Sequence, residues 1–185
     1  MMLSFFLAMN KRLDTSFFRR DVLDVAPDLL GKFLVRKLSD GTIIRSIITE
    51  TEAYRGEDDL ACHASKGRTK RTEIMYHDGG YIYIYLIYGM YWMLNFVTAS
   101  NEIPQAVLIR GIEHYNGPGK LTRALDINKS LHGLYLSDCE NLWCEYNPIK
   151  FQIQKSKRVG IDYSGEIWKN KLWRFQIDLS NINRY

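Results

Sequence analysis

Two glutamates stand two residues apart in the apolar run Ile47-Ile48-Thr49-Glu50-Thr51-Glu52-Ala53-Tyr54. In an extended strand the period of two puts Ile48, Glu50, Glu52 and Tyr54 on one face. A carboxyl in a partly buried cleft has a raised pKa and can act as a general base near neutral pH. The same segment also reads as a strand running out into solvent, where glutamates are unconstrained. A carbohydrate-hydrolase pair is a third reading. Its geometry is poor, because neighbours on one strand face lie roughly 6–7 Å apart and point the same way instead of flanking a bond.

His63 follows Asp58-Asp59-Leu60-Ala61-Cys62 and lies shortly before the basic run Lys66-Gly67-Arg68-Thr69-Lys70-Arg71. A lone histidine commonly packs structurally, and a basic run is commonly a solvated loop; their closeness to Tyr54 makes both candidates for chemistry. Half of the 12 tyrosines fall between Tyr76 and Tyr91, so aromatic rings are concentrated in one hairpin-sized stretch. Alternation places Tyr81, Tyr83 and Tyr85 on one face and Ile82, Ile84 and Leu86 on the other. Tyr88, beside Gly89 and Met90 at the turn, has no core to join. A tyrosine there can stack on a nucleobase or wedge between bases. Arg110 within Val107-Leu108-Ile109 and Asn95 between Leu94 and Phe96 each need polar partners if buried, and together they suggest a polar pocket cut into a sheet. Gly117-Pro118-Gly119-Lys120-Leu121 opens a short helix with lysine in its first turn, a place where a phosphate can be held. It matches neither the dinucleotide nor the P-loop pattern.

The elements that must position these residues are mostly strands. Ala26-Pro27-Asp28-Leu29-Leu30-Gly31 predicts a short helix with proline in its first turn. Lys32–Leu38 and Thr42–Tyr54 predict a strand pair around the tight turn Ser39-Asp40-Gly41. Tyr81–Ile87 and Tyr91–Val97 predict a second pair, Ala106–Ile112 another strand, 117–125 a helix, and Leu172–Leu179 a last strand. Connections are short and strands outnumber helices. The expectation is a single α+β domain over residues 12–185, built on a curved antiparallel β-sheet with short surrounding helices and a protruding β-hairpin.

Composition narrows the function. At 46% hydrophobic and 25% charged, the chain of 185 residues is ordinary for a globular protein and excludes disorder, collagen-like repeats and a multi-span membrane protein. The net charge of +4 permits a polyanionic partner without demanding one. Residues 61–125 account for most of that excess. Cys62, Cys139 and Cys144 are odd in number, and with four scattered histidines they form no metal-ligand spacing, so no metal and no cofactor is expected. Free thiols fit a reducing cytoplasm. Residues 1–11 read as an apolar, disordered leader, too short to span a membrane, and a translation start at Met9 is the preferred reading.

These blocks, in this order, resemble a known family. Glu50-Thr51-Glu52-Ala53-Tyr54, His63, Tyr85-Leu86-Ile87-Tyr88-Gly89-Met90-Tyr91, Asn95, Leu108-Ile109-Arg110 and Gly117-Pro118-Gly119-Lys120-Leu121 are similar to motifs of the alkyladenine (3-methyladenine) DNA glycosylases. Arg158-Val159-Gly160-Ile161 and Trp173-Arg174-Phe175 resemble that family's C-terminal elements. The likeness runs from about Arg12 to Ile177, and the Lys66–Arg71 loop looks like the bacterial form. Between Gly111 and Gly117 the chain is shorter than many members.

The resemblance implies a DNA-repair enzyme that flips a damaged purine from duplex DNA and hydrolyses its N-glycosidic bond, leaving an abasic site. It implies Glu52 as general base, Arg110 as its positioning partner, and Tyr54, His63 and Tyr85 as walls that stack on the base. It implies Asn95 as the residue obstructing the exocyclic amino group of guanine, and Tyr88 as the side chain that fills the vacated place. Met90, Arg68, Arg71 and Lys120 are then expected against DNA. The expected partner is double-stranded DNA containing damaged purines, bound by a monomer in a bacterial cytoplasm, associated with the nucleoid and not with a membrane. The alternative from another class is a non-catalytic nucleic-acid-binding module, which has no use for a carboxylate such as Glu52 facing a polyanion.

Overall fold

A computed structural model describes residues 12–181; the leader expected over residues 1–11 lies outside the described residues. Two short helices come first, α1 (Thr15–Phe18) and α2 (Val22–Leu29). Strands β1 (Phe33–Lys37), β2 (Ile43–Arg55), β3 (Ile82–Ile87), β4 (Tyr91–Thr98), β5 (Gln105–Ile112) and β6 (Tyr115–Asn116) follow, and then helix α3 (Pro118–Ala124). Strands β7 (Leu142–Glu145) and β8 (Gln154–Ser156), helix α4 (Gly165–Lys169) and strand β9 (Arg174–Gln176) complete the order.

All pairings are antiparallel, and the main path runs β3-β4-β5-β2-β1-β7. β6 pairs with the end of β5, and β9 joins β2 while carrying β8 on its other side. The 13-residue β2 is the spine. Its first half pairs with β1 and its second half with β5, while β9 reaches Glu50, Thr51 and Glu52.

α2 begins four residues before the expected start at Ala26. Asp21 caps it by accepting from the Leu23 amide at 2.9 Å, and Val22, Val25, Ala26 and Leu29 form its buried face. Pro27 sits near the helix's end instead of its first turn. Its missing N–H forfeits a single hydrogen bond there, which a short helix with a well-buried face tolerates. The last strand is also shorter than expected, three residues against the run Leu172–Leu179.

The Ser39-Asp40-Gly41 turn forms as expected, with Asp40 Oδ1 accepting from the Thr42 amide at 2.8 Å. At the β3–β4 tip both Tyr88 (φ +52°) and Gly89 (φ +70°) are left-handed. That is what a type I′ turn requires and what matches the twist of its strands.

One face of the sheet covers the main core, where Ile82, Ile84, Leu94, Phe96, Val107 and Ile109 meet α2 and α3. The other face carries a smaller aromatic cluster: Tyr83, Met75, Cys62 and Val97, with Tyr54, Tyr81 and Tyr85 against it. The alternation of tyrosine and isoleucine along β3 therefore divides two environments, and the tyrosine side is where the sheet opens.

Candidate functional site

Glu52 pairs with Leu108 of β5 on one side of β2 and with Arg174 of β9 on the other, so its strand position is enclosed. Its side chain has no solvent exposure. The register between β2 and β5 shifts twice around Thr49–Thr51, leaving Arg110 as the extra residue between the Ile109 and Gly111 pairings. Such a bulge re-aims a side chain. Gly111 passes so close that a Cβ there would lie 3.0 Å from both Glu50 Cβ and Thr49 Oγ1. A glycine is what lets the bulge close.

Arg110 Nε donates to Glu50 Oε1 at 2.9 Å and lies 3.5 Å from Glu52 Oε1. The Val159 amide donates to Glu52 Oε1 at 2.8 Å, and the Tyr54 hydroxyl donates to Glu52 Oε2 at 2.8 Å. Burial pushes the Glu52 carboxyl above the usual carboxylate range, while Arg110, the Val159 amide and the Tyr54 hydroxyl oppose that rise. The result is an ionisable, fully oriented carboxyl with a proton affinity above that of a surface glutamate. That is the profile of a general base.

A cleft of about 500 Å³ opens on the other side of this carboxyl's partners: Tyr54, Arg110 and Val159 line it, and Glu52 lies behind them. Tyr54, His63, Tyr83, Tyr85, Asn95 and Arg110 line its interior, and Tyr88 and Tyr163 its mouth. The His63 and Tyr85 rings meet edge-on at 4.6 Å. His63 Nδ1 and the Tyr83 hydroxyl are 2.8 Å apart, and Arg71 Nη2 lies 3.4 Å from His63 Nε2. This arrangement suits the tautomer that donates from Nδ1 and accepts at Nε2. Burial, with the charges of Arg71 and Lys66, pushes the His63 pKa down to about 4. Burial also raises Tyr54, Tyr83 and Tyr85, so the cleft is walled by neutral rings at pH 7.

Asn95 is buried, and its Nδ2 donates to the Tyr83 and Met93 carbonyls, both at 3.2 Å, which sets its orientation. Thus Arg110, Tyr54, His63, Tyr85 and Asn95 line one cavity, and Glu52 sits immediately behind it, held by Tyr54, Arg110 and Val159 of that lining. Tyr88 is 82% exposed and Met90 62% exposed at the hairpin tip above it. Arg71 reaches the cleft, its guanidinium 5.3 Å from the Tyr85 ring centre. Lys120 stands exposed in the first turn of α3. Arg68 is placed differently. Its guanidinium is bound by Glu73 at 2.8 Å and Glu102 at 2.7 Å, beside the Tyr76 ring. Among the described residues, no group of three His, Cys, Asp or Glu side chains is arranged to hold a metal ion. No described helix is long and apolar enough to cross a membrane.

Four residues escaped the reading of individual residues. Tyr83 shares the face of Tyr85 and could have been named from the same alternation. Val159 acts through its main-chain amide, for which a side-chain motif carries no signal. Asp59 and Arg158 form a buried pair behind the Glu52 wall. Only the tertiary fold brings them together.

A family model described as methylpurine-DNA glycosylase matches residues 16–181. Relatives that bear the provisional name 3-methyladenine DNA glycosylase include one from Natranaerobius thermophilus, 42% identical over 90% of this chain and 95% of its own. Another, from Clostridium novyi, is 41% identical over the same shares. A third, from Borrelia garinii subsp. bavariensis, is 45% identical over 89% of this chain and 95% of its own.

Proposed function

This chain belongs to the methylpurine-DNA glycosylase family and is a hydrolytic DNA-repair glycosylase, and from that premise we propose that it flips a damaged purine into the Tyr54–His63–Tyr85 cleft and releases it with a water activated by Glu52. The single observation that carries the reading is the placement of Glu52. It is a buried carboxyl oriented by two hydrogen bonds and the Arg110 charge, directly behind the Tyr54, Arg110 and Val159 lining of an aromatic cavity of about 500 Å³, and that cavity is of a size to take a purine.

Flipping costs a few kcal/mol of unstacking, least for a damaged base. Stacking on Tyr54, Tyr85 and His63 offsets it inside the cleft, and Tyr88 fills the vacated place in the duplex. Glu52 takes a proton from water as the water oxygen bonds to the sugar C1′. The C1′–N9 bond breaks, and its electron pair leaves with the purine. A positively charged alkylpurine departs neutral and needs no acid. Neutral, electron-rich rings favour the cationic base by cation–π attraction. A protonated His63 would repel it, so burial of that imidazole serves the same end. Asn95, held by two carbonyls, is positioned to obstruct the 2-amino group of normal guanine. Arg71, Lys120 and Met90 meet the duplex around the cleft, and the enzyme works as a monomer in the cytoplasm.

Glu52→Gln tests the reading. It preserves shape and removes the base, so lesion-duplex binding should persist while excision falls at least ~10²-fold. Binding without release by the wild type, or an active Glu52→Gln enzyme, would sink it; the first outcome would favour a non-catalytic binder.

A further inference from the structure

The catalytic carboxyl is held by a loop amide, and the loop itself is anchored by two buried charges. Arg158 immediately precedes Val159, whose N–H donates to Glu52 at 2.8 Å. The Arg158 and Asp59 side chains have no solvent exposure and meet in a two-pronged pair. Nη1 donates to Oδ2 at 2.6 Å and Nη2 to Oδ1 at 2.8 Å. Arg158 Nη1 also donates to the carbonyl of Ala53, the residue after Glu52, at 2.9 Å. Its guanidinium lies 4.9 Å from the Tyr54 ring centre and 5.1 Å from that of Trp173. Asp59 in turn accepts from the Arg55 and Ala61 amides, both at 3.1 Å, which fixes the turn leading to His63. One ion pair thus ties together the end of β2, the approach to the His63 wall and the loop that reaches Glu52.

A buried ion pair is a poor source of net stability, because desolvating two charges offsets much of their attraction and apolar replacements often do as well. Its use is better sought in what it orients. We propose that the Asp59–Arg158 pair positions the general base: it holds the 158–160 loop so that the Val159 amide keeps Glu52 oriented and ionised. Neither residue touches the reacting atoms, so both are positioning residues. The inference rests on the reading of Glu52 as the base.

The two effects of breaking the pair have opposite signs, and that makes the idea testable. Removing Asp59's charge leaves Arg158 uncompensated near Glu52, which through space alone would favour the carboxylate and move the acid limb of the pH–rate profile down. Losing the loop's geometry withdraws the Val159 donor, which disfavours the carboxylate and moves that limb up. The other groups around Glu52 are Glu50 and Tyr54 on β2, Arg110 on β5, Tyr85 on β3 and, opposite it on β9, Arg174, whose guanidinium lies 3.7 Å from Glu50, and they stay unchanged.

The experiment compares wild type, Asp59→Asn and Arg158→Lys in single-turnover excision from a duplex carrying one methylated purine, with enzyme in saturating excess from acid to mildly alkaline pH. Under saturation an unfolded fraction of enzyme does not enter the rate constant. Misplacement by an ångström can cost ~10²-fold, so the rate constant should fall about 10- to 100-fold while the lesion-duplex Kd changes little. The acid limb should move to higher pH. Arg158→Lys keeps the charge and loses the two-pronged geometry, so it should act in the same direction and decides the matter if Asp59→Asn does not fold. A limb that stays or moves down, a loss confined to Kd, or an unchanged rate constant beside a lowered Tm would overturn the proposal. Glu52→Gln run alongside separates the two levels, since wild-type activity there would defeat the general-base reading itself.

Discussion

At the scale of single residues the site turns on a conflict at Glu52. Burial disfavours its charge, and the Arg110 cation with two hydrogen bonds restores it only in part, so its carboxyl stays above the usual range. The sequence presents Glu50 and Glu52 as near equals. Their partners distinguish them, because Glu50 takes the Arg110 Nε–H at 2.9 Å and Glu52 takes the Val159 amide. That amide is 107 residues away, and no spacing rule reaches so far. The conflict has a stability consequence of definite sign. A carboxyl whose folded pKa is raised favours the fold while protonated, and that contribution is lost as pH rises through the folded pKa. Glu52→Gln lacks this loss, so it should melt higher than wild type by a margin that widens from acid to alkaline pH. Thermal melting of both proteins across pH measures it. A margin that narrows as pH rises would mean that Arg110 and the two hydrogen bonds outweigh burial.

At the scale of elements, the β3–β4 hairpin was the most legible part of the chain. Its alternation belongs to one strand and needs no knowledge of neighbours, so Tyr81, Tyr83 and Tyr85 sort from Ile82 and Ile84 directly. The bulge at Arg110 was not legible, because register is a relation between two strands. The early start of α2 was missed for a local reason: Pro27 imitates a helix-start signal, while the Asp21 cap carries the actual one. The hairpin tip carries its own prediction. Tyr88 is exposed and left-handed, so its large ring adds nothing to a core there. Tyr88→Ser should shift stability by less than about 0.5 kcal/mol, as surface changes usually do. It should slow excision from a paired duplex, where extrusion must be stabilised. It should matter much less where the lesion is already unstacked opposite a gap. Excision from both substrates, with melting of both proteins, distinguishes a wedge from a pocket residue. Equal losses on the two substrates would place Tyr88 in the pocket, and a large fall in Tm would place it in the core.

At the scale of the whole molecule, the charge total says little and its placement says more. The run Lys66–Arg71 reads from sequence as one basic unit, yet the fold divides it. Arg71 turns to the cleft beside Tyr85, whereas Arg68 spends its charge on Glu73 and Glu102 from a neighbouring loop. Lys120 stands exposed in the first turn of α3, two residues after Pro118 of the cleft's lining, and the helix's close packing needs Gly119, since a Cβ there would lie 2.7 Å from the Tyr91 ring. A duplex lying across the cleft would therefore meet Arg71 and Lys120 as cations and Arg68 as part of a neutralised cluster. Each phosphate neutralised releases condensed counterions, so log K should fall with log salt by about 0.9 per contact. Arg71→Gln and Lys120→Gln should each weaken binding and flatten the slope by about that amount. Arg68→Gln should change the slope less, because its positive charge is already opposed by two carboxylates. Binding to an undamaged duplex over a range of salt is the appropriate measurement, since it isolates the backbone term from recognition of the lesion. A slope unaltered by Arg71→Gln and Lys120→Gln would put the DNA path elsewhere on the molecule. A full loss from Arg68→Gln would mean that DNA displaces Glu73 and Glu102 and opens that cluster on binding.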